Sequence, residues 1–329
     1  MNEELFFGKV RNVTAEDRKK LPIYSYSGLD VSKTCPFQYN KKYNEKLRSS
    51  DTNLALELGG LCHYVLEQKG KILFNKQNVD YSKLNDTLKN GTIEINKKTR
   101  EEILGIDKLK RKYFETWYEQ DNASGMNYEE KMQIFDKVLR NEMEPENNDG
   151  WKPLYFEQYF EFVWDDRAII RGFIDRIDCK DGEYRTIDYK TSKKVYDKSK
   201  LATSLQFGIY AVAILNDFKK LPIESIYRFI LIDDLQYALT KGWEKRFIKA
   251  LDKILDQIDE YSQTGLWMPK PSPLCYWCDF CALNPNAHAY KRECEYYSLW
   301  TPNEKSFKKN KEWNPDEVKN TDKKRKLIF

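Results

Sequence analysis

Apolar positions change their spacing along the chain, and the changes mark out its parts. In residues 54–68, Leu54, Leu58, Leu61, Val65 and Leu66 recur at helical spacing. In residues 21–47, Pro36 suits a first helical turn, and Phe37, Tyr39 and Tyr43 form an aromatic face behind it. Residues 69–98 are Lys/Asn-rich and weakly patterned. Thr99-Arg100-Glu101-Glu102 is a capping box that opens a helix to about Glu119, and a further helical pattern covers 128–143 up to the stop at Asn147-Asn148-Asp149-Gly150. From residue 154 the period shortens: Tyr155–Trp164 predicts a strand, and two more β-prone runs follow. Residues 201–219 return to helix (Leu205, Ile209, Val212, Ala213), Ser225–Ile232 is an apolar strand, and 242–262 is an amphipathic helix. Its buried stripe is Trp243, Phe247, Ala250, Leu251, Ile254, Ile258 and Tyr261. Helix, three strands, helix, strand and helix predict an α/β fold, a central mixed β-sheet flanked by helices.

The two β-prone runs are Arg171–Lys180 and Glu183–Thr191, joined by Asp181-Gly182. Asp-Gly between such runs signals a type I′ hairpin, because both central residues need positive φ. A two-residue turn puts Lys180 opposite Glu183, and counting outward puts Asp175 opposite Asp188. Opposed residues have Cβ atoms only ~5 Å apart, and like charges there repel. Lys190 shares the face of Asp188 because strand side chains alternate with period two. Two carboxylates and an ammonium in register fit a cation held between the acids, and oxygen ligands favour Mg²⁺ or Mn²⁺. The competing outcomes are a solvated strand face or a bulge that separates the acids.

Charged residues make up 33% and hydrophobic ones 40%, which excludes a disordered chain. The net charge of +4 is too small by itself to argue for nucleic acid. No run of about 18 apolar residues predicts a membrane span, and Met1-Asn2-Glu3-Glu4 lacks a secretory pattern. The expected location is the cytoplasm, a host's if the chain is phage-encoded, where the 7 cysteines stay reduced or bind metal. Cys275-x₂-Cys278-x₂-Cys281 then reads as a metal motif.

Four motifs in order carry a resemblance to the RecB-like branch of the PD-(D/E)XK nucleases. Gly59–Glu67 looks like that family's histidine motif, centred on His63. Gly172-Phe173-Ile174-Asp175-Arg176-Ile177-Asp178 looks like its first acidic motif, Ile187-Asp188-Tyr189-Lys190-Thr191 like its (D/E)xK motif, and Gln206-Phe207-Gly208-Ile209-Tyr210 like its QxxxY motif. The resemblance implies a restriction-endonuclease-like core with a helical insertion and a Cys-rich C-terminal module. The expected boundaries are N-terminal helices in 1–68, the insertion in 69–150, the nuclease core in 151–265, the Cys-rich module in 266–300 and a basic tail in 301–329. It also implies roles: Asp175 and Asp188 bind the metal, with His63 as a further ligand and the Tyr189 carbonyl contributing. Lys190 orients the attacking water, and Gln206 and Tyr210 hold DNA near the metal. Glu67 is either a partner of His63 or a surface residue, and Tyr210 is alternatively core.

Iron–sulfur members of that family add one upstream cysteine to three C-terminal ones, so the implied [4Fe–4S] ligands are Cys35, Cys275, Cys278 and Cys281. The chain departs from the family where the last cysteine falls, since Asn284 stands there and Cys281 or Cys294 must substitute. Zinc on three cysteines and His288 is the alternative; Cys62 and Cys179 read as buried small hydrophobes. The expected activity is a Mg²⁺- or Mn²⁺-dependent DNA exonuclease acting on single strands or free ends. It is expected in recombination, repair, phage DNA processing or CRISPR adaptation. No GxxxxGK[ST] loop is present, so a helicase, recombination or CRISPR partner is expected on a separate chain. Alternatives are a catalytically silent DNA-binding scaffold and an RNA-directed nuclease.

Overall fold

Asp181 and Gly182 have φ of +50° and +76°, the left-handed pair that a type I′ turn requires. The turn joins β4 (Ala168–Lys180) to β5 (Glu183–Lys190) with Lys180 opposite Glu183, as the Asp-Gly signal predicts. A computed structural model describes residues 3–47, 59–60, 62–63, 66–67, 150–192, 195–230, 234–237, 239–281 and 294. The sheet also contains β1 (Val10–Arg11), β2 (Ile23–Ser25), β3 (Lys152–Trp164), β6 (Glu224–Phe229) and β7 (Asp234–Tyr237). Its order is β1-β3-β4-β5-β6-β7, with β2 added beside β4. The β2–β4 and β5–β6 pairs are parallel and the others antiparallel, so the sheet is mixed, as expected.

β4 positions the site because it changes partner. One edge pairs with β3 over most of its length. The other edge pairs with β2 at residues 169–171 and with β5 at 176–180. Between those ladders Gly172–Asp175 face an opening in the sheet. Backbone groups at such a fork lack a strand partner and are available to side chains. Opposite the fork, β3 carries a left-handed residue, Glu157, at φ +47°, and nearer its start a bulge between Pro153 and Tyr155.

Contacts divide the chain into two units, Met1–Tyr26 with Leu54–Ile248 and Leu327–Phe329, and Ser27–Asn53 with Lys249–Lys326. In the first, parallel strands β5 and β6 need a crossover, which α4 (Lys198–Ala202) and α5 (Leu205–Phe218) provide. Ser204 caps α5 by accepting a hydrogen bond from the Phe207 N–H, and Lys219 ends it in the left-handed conformation. The predicted apolar positions Leu205, Ile209, Val212 and Ala213 are all buried. By length and composition Ser199–Phe218 could cross a membrane, but 61% of that window is buried inside the protein, as befits a core helix.

α6 (Trp243–Thr264) buries Trp243, Phe247, Leu251, Ile254 and Ile258, while Ala250 and Tyr261 are half-buried. Phe6 stacks on Trp243 at 5.8 Å and Phe247 meets Trp164 edge-on at 5.6 Å. Each such aromatic contributes roughly 1.5–3 kcal/mol by its burial.

In the second unit α2 (Tyr26–Thr34) leads to Cys35, and Pro36 opens α3 (Pro36–Tyr39) at its first turn. Tyr39 stacks on Tyr43 at 5.1 Å and on Trp267 at 5.5 Å, so the predicted aromatic face exists and has a partner. In the first unit, Leu66 is buried, and residues 59–60, 62–63 and 66–67 are helical. Leu54, Leu58, Leu61, Val65, the insertion at 69–149, Asn284, His288 and the tail at 301–329 lie outside the described residues.

Candidate active site

Three adjacent strands bring an acid to one level of the sheet. Glu157 lies between the pairs Phe156–Arg176 and Gln158–Ile174, hence across from Asp175. Asp175 is one step past the last β4–β5 pair, Arg176–Ile187, at the level of Asp188. The face-to-face register expected for Asp175 and Asp188 therefore stops one residue short of them. The strands part there, and the Asp175 carboxylate instead accepts the Tyr189 N–H at 2.8 Å.

His63 joins this row from its helix. Its Nε2 donates to the Tyr189 carbonyl at 3.2 Å, because a carbonyl can only accept. That leaves Nδ1 turned to Asp175 (3.4 Å) and Glu157 (3.6 Å). An imidazole whose second nitrogen is anchored on a backbone carbonyl is the usual arrangement of a metal-ligating histidine. Ligand atoms of His63, Glu157 and Asp175 all lie within 4.8 Å of one another. Burial opposes a charge on His63, but the hydrogen bonds to Asp175 and Glu157 outweigh it and the pKa is pushed up to about 10. The sequence reading missed Glu157, one of several polar positions along β3 with no motif around it. The Tyr189 carbonyl, expected at the metal, has His63 as its partner.

Asp188 is 2% exposed. Its Oδ1 accepts from Gln206 Nε2 (2.6 Å) and the Tyr210 hydroxyl (3.2 Å). Its Oδ2 makes an ion pair with Lys190 Nζ at 2.6 Å but accepts no well-directed hydrogen bond. Burial first, and the charge of Asp175 second, raise the Asp188 pKa to about 6, with Lys190 opposing. A buried carboxylate oxygen lacking a directed donor, beside further carboxylates and an imidazole, fits a hard divalent cation. Gln206 and Tyr210, expected to hold DNA, are 7% and 4% exposed and point at Asp188. They therefore fix a carboxylate. Burial and the charges of Asp188 and Asp175 keep the Tyr210 phenol protonated.

Asp178 closes the first acidic motif but is fully buried. Arg176 Nε binds it at 2.6 Å and Arg185 Nε at 2.8 Å. It serves the interior and lies outside the His63–Glu157–Asp175 group. Glu67 is half-buried and lies outside the His63–Glu157–Asp175 group.

In the second unit Cys35, Cys275, Cys278, Cys281 and Cys294 line one hollow with Pro269, Lys270 and Pro271. The Lys270 N–H donates to Cys35 Sγ at 3.5 Å and the Ser272 N–H to Cys275 Sγ at 3.4 Å. A hydrogen bond with Cys281 brings the Cys275 thiol down to about 6, whereas burial pushes Cys278 up to about 12. Cys294 reaches the same hollow through a parallel bridge to Cys281. Cys62 and Cys179 are buried, as expected.

The model of the PD-(D/E)XK nuclease superfamily matches residues 23–284. Gene 69 protein of Mycobacterium phage D29 is 28% identical over 127 residues, which are 37% of this chain and 45% of that protein. This chain thus spans less than half the length of that relative. A crystal structure from Eubacterium rectale, named "Putative exonuclease", aligns over 81% of this chain and 92% of that one at 14% identity and a TM-score of 0.39. With the family match extending from β2 past the cysteine run, the chain belongs to the PD-(D/E)XK nuclease superfamily.

Proposed function

We propose that the chain is a divalent-metal-dependent deoxyribonuclease of the RecB-like kind, an exonuclease acting on DNA with free ends or single strands. The observation that carries this reading is the convergence of His63, Glu157 and Asp175 beside the buried Asp188–Lys190 pair. His63 Nδ1 and carboxylate oxygens of Glu157, Asp175 and Asp188 are the atoms that would hold Mg²⁺ or Mn²⁺. When bound, that ion supplies a Lewis acid that lowers the pKa of water and offsets charge developing at phosphorus.

The chain's own residues do the rest. Gln206 and Tyr210 hold Asp188 Oδ1, so that Oδ2 is the oxygen left for the cation and Lys190. Lys190 keeps its proton: burial works against the ammonium, but Asp188 outweighs burial and raises its pKa. Its Nζ can therefore hydrogen-bond the attacking water or a phosphoryl oxygen. His63 takes its orientation from the Tyr189 carbonyl.

The five-thiol hollow supports a [4Fe–4S] cluster on Cys35, Cys275, Cys278 and Cys281. The C-x₂-C-x₂-C run with a remote Cys-Pro is the spacing by which bacterial ferredoxins hold such a core. When bound, the cluster supplies a covalent cross-link between distant segments.

End-labelled linear duplex, single-stranded and circular DNA, and RNA, incubated with Mn²⁺, Mg²⁺ or chelator, test the activity. The expected result is metal-dependent release of nucleotides from DNA ends, with circles and RNA spared, and a loss of about a hundredfold or more in Asp188→Ala. Equal cleavage by wild type and Asp188→Ala ends the catalytic reading. Preferential loss of RNA, or cutting of circles as fast as linear DNA, overturns the substrate assignment.

A further inference from the structure

Tyr227, on β6, lies outside every motif considered above. It stands directly opposite Asp188 in the parallel β5–β6 pair and is 4% exposed. Its hydroxyl is 3.2 Å from Gln206 Oε1 and 2.9 Å from Ser204 Oγ. A carbonyl oxygen can only accept, so the phenol donates to Gln206 and receives the proton of Ser204. Burial first, and the charge of Asp188 second, raise the phenol's pKa, so the donor proton is retained. The ring also serves: Lys190 Nζ lies 5.1 Å from its centroid, a cation–π distance. Tyr196 packs edge-on against that ring at 5.0 Å, and Phe207 contacts it at 4.2 Å.

These contacts decide the orientation of an amide. Gln206 offers an oxygen and an NH₂ that differ only in hydrogen bonding. If the oxygen faced Asp188, two acceptors would meet and the carboxylate would lose its 2.6 Å bond. Donors placed against Oε1 disfavour that flip: Tyr227, whose hydroxyl takes the Ser204 proton and so donates here, and Lys190 Nζ at 3.4 Å, which can only donate.

We propose that Tyr227 is a positioning residue for the nuclease reaction, fixing the Gln206 amide through its hydroxyl and the Lys190 ammonium through its ring without touching the substrate. The inference rests on the proposal that Asp188 and Lys190 do the chemistry. It extends that site to a strand and a residue that no motif marks.

Four proteins test it: wild type, Tyr227→Phe, Gln206→Ala and the double variant. DNA cleavage is measured against DNA and against Mn²⁺, and melting is followed as a control on folding. Phe keeps the ring and its packing. Tyr227→Phe is expected to lower kcat on the order of tenfold, the effect of one hydrogen bond. KM for DNA should stay within about twofold, and the Mn²⁺ concentration for half-maximal activity should rise. In the Gln206→Ala background the same substitution should have no further effect, because its target is gone; a merely structural role would give additive losses. If Tyr227→Phe melts early, cleavage by all four proteins is compared at a temperature well below the lowest of their transitions. Unchanged kcat and Mn²⁺ dependence in Tyr227→Phe, or additivity in the double variant, overturns the inference while Asp188→Ala still abolishes cleavage. Undiminished cleavage by Asp188→Ala removes the underlying reading, and this inference with it.

Discussion

Glu157 is a large acidic side chain held at φ +47° in the middle of a strand. Left-handed backbone costs a non-glycine residue roughly 1–2 kcal/mol, and its carboxylate faces another at Asp175. Strain and like charge at one residue persist where the position serves a function. We therefore expect Glu157→Gln, which keeps shape and removes charge, to weaken Mn²⁺ binding by about 10- to 100-fold, the range that loss of even an outer partner of a metal ligand produces. Titration calorimetry of the two proteins measures this; equal affinities would exclude Glu157 from the site. The sequence marks Asp175 and Asp188 through the Asp-Gly turn between them, a local signal with a definite count. Nothing local marks Glu157, because its place in the cluster comes from pairing with a strand that follows it and from a backbone inversion that glutamate does not favour. The inward aim of Gln206 and Tyr210 was equally hidden: the helical spacing puts them on one face, but not what that face meets.

At the scale of elements, the site depends on α5 lying close enough to β5 for Gln206 and Tyr210 to reach Asp188. Gly208, between those two residues, allows the helix its close neighbour: a Cβ there would lie 2.0 Å from Phe247 Cδ2. Gly208→Ala must displace that ring or the helix, an overpacking that costs about 1–3 kcal/mol. Urea unfolding should show the loss, and Phe247→Leu in the same chain should recover part of it. Independent, additive losses would mean that Phe247 is not the obstacle. The amphipathic period of α6 and the apolar run of β6 were plain in the sequence because each buries a stripe by a short-range rule. The strands β1 and β2, of two and three residues, have no room for a period. The change of partner along β4 is a long-range event, and no spacing within β4 encodes it.

For the whole molecule, the second unit is assembled from Ser27–Asn53 and Lys249–Lys326, segments joined through Leu54–Ile248 of the first. Cys35 sits in one segment and Cys275, Cys278 and Cys281 in the other, about 240 positions later. A cross-link over so long a loop removes much of the entropy that unfolding would release, about 5.5 kcal/mol in the chain-entropy view. Cys35→Ser should therefore do two things in anaerobically purified protein. It should abolish visible thiolate–iron absorbance and bound iron, and it should lower the temperature of the calorimetric transition, with chelation of iron from the wild type giving the same shift. The fifth thiol sharpens the test. If the C-x₂-C-x₂-C run is the ligand set, Cys281→Ser loses iron and Cys294→Ser keeps it. The reverse result would make Cys294 the fourth ligand, and a colourless wild-type protein carrying zinc would replace the cluster altogether.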